Sequence, residues 1–152
     1  MSAPQSSRTG SEYAQVPKMR PFDPIPPPRQ DAVEWVIRAY NTLLESAPSL
    51  VREFEARFET WQNTWHETFK TQSAARACCD VDEVNPLLNM GSQIIPLVLY
   101  QLLDPGNFVA VYLYNRLEKD RKYLIDPGDV LNFLTLQRQN NLIIDINYGR
   151  EW

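Results

Sequence analysis

Apolar residues recur along this chain in two patterns. From residue 31 to 69 they return at helical spacing, with charged residues between them. From Ser92 to Leu117 they run nearly unbroken and almost without charge. The first pattern predicts amphipathic helices, each with one face in a core. The second predicts helices apolar all round, hence buried. The turn Asp104-Pro105-Gly106-Asn107 divides that stretch in two.

Asp31, with Glu34 three residues on, reads as the N-cap of a first helix. Its apolar positions are Val33, Val36, Ile37, Tyr40 and Leu44, and it ends near Ala47 because Pro48 disfavours helix before it. Ser49 is the next candidate cap. The clearest stripe follows: Leu50, Phe54, Phe58, Trp61, Trp65 and Phe69. This helix fades through Thr71 to Ala77. Asn85-Pro86 reads as a cap and first helical residue, Gly91 as a stop, and Ser92 as a restart. Pro96 then falls where backbone N–H groups have no intrahelical partner. Asn107 is expected to cap a helix from Phe108 to about Lys119. Leu124-Ile125-Asp126-Pro127-Gly128-Asp129 repeats the earlier punctuation 22 residues on, too close for a repeat of helical pairs. Val130 to Ile146 predicts a last helix, whole or broken near Asn140-Asn141. Leu142 to Ile146 is β-branched enough for a strand, but no second strand stands ready to pair with it. The fold predicted is all-α: one domain of five or six helices at 31–152, as a bundle or compact stack of helical hairpins.

Composition adds a tail. Residues 1–30 hold seven of the twelve prolines, so neither helix nor sheet ladder runs through Pro24-Ile25-Pro26-Pro27-Pro28. We read 1–20 as disordered and 21–30 as extended. The triple proline is either a plain lead-in or a polyproline ligand for an aromatic groove. Seventeen aromatics in 152 residues give a core with a large buried area.

Net charge is −4. That argues against nucleic acid, whose phosphates need clustered Lys and Arg. The acidic excess, ten acidic against five basic groups, sits at 31–83. It reads first as a solvated helix face and second as a docking site for a basic partner. No run of about 18 apolar residues predicts a membrane span. No signal-peptide pattern opens the chain, and its two cysteines, Cys78 and Cys79, are adjacent. A reduced, cytoplasmic setting is expected.

The run IIPLVLYQLLDPGNFVAVYLYNRLEKD, and later DPGDVLNFLTLQRQNNLIIDIN, resembles a group of small, uncharacterised helical proteins of filamentous fungi. The resemblance covers about 85–148, nearly half the chain. Some members carry His before the glycine where this chain has Met90-Gly91, so any role of that His is absent here. The resemblance implies a helical fold and a fungal intracellular setting, with no chemistry attached.

Signatures of catalysis are missing. There is no Gly-rich phosphate loop, no G-x-S-x-G and no zinc spacing. No cofactor or metal is expected. His66 is the single histidine, a candidate general base that reads more simply as a boundary residue. Trp61, Trp65, Tyr100, Tyr112, Asn115 and Arg138 are candidate ligand-binding residues. They would form an aromatic-lined pocket with a polar floor, suited to an apolar or aromatic small molecule. The simpler reading is a core plus a hydrogen-bond network at helix ends. Arg138, if buried, needs a partner, with Asp104, Asp126 and Asp145 as candidates. Two functions remain open. One is a non-catalytic interaction or scaffold protein with a protein partner or self-association. The other is a small cofactor-free enzyme or ligand-binding accessory of fungal secondary metabolism.

Overall fold

The computed structural model describes residues 25–71, 82–107, 109–125 and 133–152, without the side chains of 66, 68–71 and 133–136. Among them are six α-helices and no strand: α1 (Gln30–Ser46), α2 (Pro48–Thr71), α3 (Asn85–Met90), α4 (Ile95–Gln101), α5 (Ala110–Leu117) and α6 (Phe133–Ile146). Short 3-10 turns precede α3 and α4 and lie at Pro105–Asn107 and Arg121–Tyr123. The all-α expectation therefore stands. Residues 1–24 lie outside the described part, as does the chain from 72 to 81 with Cys78 and Cys79.

The short α4 lies at the centre, against α1 on one side and α5 on the other. Ile94 to Leu99, Pro96 included, are all buried. Pro96 occupies the start of α4, where its missing N–H costs no helical bond. α1 also packs on α2 and α6, α3 packs on α2 and α5, and α6 packs on α5.

Helix starts differ from expectation. α1 begins at Gln30, with Arg29 at the N-cap position and no side-chain cap. Asp31 is not the cap: its carboxylate pairs with Arg29, 2.8 Å away. That pair holds its carboxyl below the ordinary range, chiefly through the Arg29 hydrogen bond. Glu34 accepts instead from Gln30 Nε2. α2 begins at Pro48 rather than after Ser49, because Pro is preorganised for a first helical turn. A single residue, Ala47, therefore joins α1 to α2. Asn85 is the first residue of α3, not its cap. Gly91 ends α3 at φ +77, a conformation that favours glycine. α5 starts at Ala110, and the Asn107 side chain is used elsewhere.

Phase differs too. In α1, Ala32 and Val36 are buried and Val33, Tyr40 and Leu43 pack on the core, while Ile37 and Leu44 stay 38% and 43% exposed. Among the described side chains of α2 the fully buried series is Val51, Phe54, Phe58, Trp61 and Trp65, with Leu50 at the margin; the Phe69 side chain lies outside the described part. Spaced three, four, three, four, it keeps one face inward for four turns. The two indoles meet edge to face at 4.7 Å, and both lie against Phe58. α6 runs unbroken through Asn140-Asn141.

Candidate functional site

The six candidate ligand-binding residues have different surroundings among the described residues. Trp61 and Trp65 are no more than 1% exposed and belong to the core. Tyr100 is half-buried and stacks on Tyr40, centroids 3.8 Å apart. Tyr40 Oη donates to Glu55 Oε2 at 2.9 Å. Burial, then that bond, pushes the Tyr40 hydroxyl up to about 12. Tyr112 packs at the core margin. His66 lies in α2, with its side chain outside the described part.

Asn115 and Arg138 carry buried atoms without a hydrogen-bond partner among the described residues: Asn115 Oδ1, and Arg138 Nε and Nη2. Of the carboxylates expected to meet Arg138, Asp104 accepts from the Gly106 backbone and Asp145 from the Arg29 backbone. Asp126 lies outside the described residues. Around Arg138 the polar patch does fasten helix ends. Gln137 Nε2 donates to Pro105 O, and Asn141 Nδ2 to Pro26 O. Buried Asn140 donates to Leu102 O at 2.9 Å. Asn107 accepts from Gln62 and donates to Gln101. These bonds hold the turn after α4 between α2 and α6.

A second polar cluster escaped the sequence reading. Tyr114 donates its hydroxyl proton to Tyr123 O and accepts from Asn147 Nδ2 at 3.0 Å. Burial pushes this hydroxyl well up, past the ordinary tyrosine range. Asn147 Oδ1 accepts from Arg150, whose guanidinium grips Glu118 in a two-pronged pair. The Glu118 side chain is 2% exposed and that of Arg150 13%. Arg150 also lies over the rings of Tyr123 and Trp152, at 3.9 and 4.3 Å.

Beside this cluster opens a cleft of about 1050 Å³. From α1 come Trp35, Arg38, Ala39, Thr42, Leu43 and Ser46, spaced three, one, three, one, three. Ser92, Gln93, Ile95 and Pro96 bring the start of α4, and Arg150, Glu151 and Trp152 close the cleft. The α1 residues form one stripe about 16 Å long at 1.5 Å per residue. None of the six candidates lines it. Trp35 Nε1 donates to Arg150 O at 3.2 Å. Arg38 lies over the Trp35 ring, 5.9 Å from its centroid. Trp152 is 50% exposed. One signal could have pointed here: Trp35 is a large aromatic out of phase with the core face of its own helix.

Among the described residues no group of three or more His, Cys, Asp or Glu is placed to hold a metal, and no helix is long and apolar enough to cross a membrane. No family model, curated protein or solved structure matches the chain.

Proposed function

We propose that this is a non-catalytic helical interaction protein that seats a partner's amphipathic helix along α1, in the cleft. One observation carries the reading. α1 turns two continuous stripes outward from its axis: one enters the core, and the other faces an open groove three helical turns long. Helix-in-groove recognition uses apolar anchors one turn apart over that length. Ala39, Leu43, Ile95 and Pro96 supply an apolar floor, and Trp35 and Trp152 supply the aromatic anchors common at interfaces. The reading takes a cytoplasmic, fungal setting from the sequence. A pocket at Trp61 and Trp65 finds less support, because both indoles are spent on the core.

The test places a photo-crosslinking residue at Thr42, which is exposed in the cleft, and at Thr60, which is exposed on α2. A discrete adduct from 42 and none from 60 is expected. Thr42→Arg and Ser46→Arg fill the groove without entering the core, and should abolish binding of the cross-linked partner to the full chain. Unchanged binding in both variants overturns the reading.

A further inference from the structure

We propose that Tyr148–Trp152 is a strap that opens as a unit, without unfolding of the core, and that in its closed state it builds one wall of the cleft. Asn147, before it, is fully buried and tied to Ile143 O at 2.8 Å. Gly149 follows at φ +79, and a Cβ there would meet nothing within 4 Å. Glycine takes this conformation without strain, here in a turn that the Arg150 N–H closes by donating to Asn147 O at 3.1 Å. Beyond Gly149, all the strap's described hydrogen bonds to other elements run through Arg150. Its carbonyl takes the Trp35 indole proton, and its guanidinium takes Glu118. Tyr148 and Trp152 on either side are about half exposed. Tyr148 meets the Trp35 ring edge to face at 5.8 Å and lies under the Arg29 guanidinium at 4.9 Å, so Arg150 is the hydrogen-bonded part of the fastening and these two exposed ring contacts are the rest.

Glu118 decides whether the fastening can release alone. A buried carboxylate stripped of its partner is costly. Here Glu118 Oε2 also accepts from the backbone N–H of Lys119 at 3.1 Å and of Asp120 at 3.0 Å. These two donors stay when Arg150 leaves, and Arg150 leaves for water. Among the described residues, α4 makes no hydrogen bond to the strap. Opening is therefore a local event, below the free energy of global unfolding. Its consequence rests on the docking reading above. A partner touching Arg150 and Trp152 meets that wall only when the strap is closed, so binding closes it, and strap variants weaken binding in return.

Hydrogen exchange of the wild-type chain across low urea concentrations tests the strap without any partner. The Arg150 amide and the Trp35 indole N–H should exchange together, at rates nearly independent of urea. The α4 amides should be at least ~100-fold slower, with a steep urea dependence. In Arg150→Ala the Trp35 indole should lose its protection while α4 stays protected, and Arg150→Lys should fall between. If the Arg150 amide and the Trp35 indole join the α4 amides on one urea dependence, the strap is overturned. If the strap behaves as stated but Arg150→Ala cross-links from position 42 as wild type does, its coupling to the cleft is overturned. Thr42→Arg and Ser46→Arg judge the docking reading separately.

Discussion

Replacing Trp61 by alanine decides whether the paired indoles are core or pocket floor. Trp61 has no exposed surface and meets Trp65 and Phe58 edge to face. Large-to-small changes at such a site cost about 3–5 kcal/mol, through lost transfer energy and a residual cavity. The two lost ring contacts, worth about 0.5–1.5 kcal/mol each beyond buried area, place Trp61 at the upper end. A domain of this size unfolds with about 5–15 kcal/mol, so close to half its stability is at stake. At roughly 4 °C per kcal/mol the midpoint falls by about 12–20 °C. Trp152→Ala is the control: half exposed and outside the core, it should cost less than about 1 kcal/mol. Urea titration of both variants, followed by far-UV circular dichroism, gives the numbers. A loss below about 1 kcal/mol for Trp61→Ala would refute the argument, because no fully buried indole in a closed core is that cheap. So would a loss for Trp152→Ala as large as that for Trp61→Ala.

Three further outcomes are expected. Tyr40 titrates near 12 in the folded chain, raised from 10, so its contribution is complete below pH 10 and vanishes as pH rises through 12; Tyr40→Phe should reduce the loss of stability over that alkaline window in thermal melts. Asn140→Ala leaves the buried Leu102 carbonyl without its described side-chain donor, at a cost of about 1–3 kcal/mol in urea titration. Gly91→Ala meets no steric neighbour but forces a side chain into φ +77, ψ −170, so a loss of about 1–3 kcal/mol is expected from backbone strain alone.

The α2 stripe was legible because a long helix with large apolar residues every three or four positions has only one way to hide them. α4 was legible for the opposite reason: with apolar residues on every side it had to be central. Caps were less legible. Asp31 has the chemistry of an N-cap, but the Arg29 guanidinium two residues earlier competes for its carboxylate and wins. Ile37 and Leu44 fit the helical period of α1, yet the period fixes only the spacing of a face. Which face turns inward depends on α4 and α6, far off in sequence. The cleft was illegible for the same reason. Its walls are joined by a tertiary bond from Trp35 to Arg150, 115 residues apart. Glu118 and Arg150, 32 residues apart, look like surface charges until the fold brings them together under Tyr123.

The one-residue joint at Ala47 has a consequence for what this chain can tolerate. With no slack between α1 and α2, a residue inserted in the first turns of α1 would rotate everything ahead of it by about 100°. Core face and groove face share that helix, and Leu43 serves both. A rotation that spoils the packing therefore misplaces Trp35 as well. Length changes within α1 should be purged whether selection acts on stability or on binding. Variation in length is then confined to places where no helix has to serve two masters.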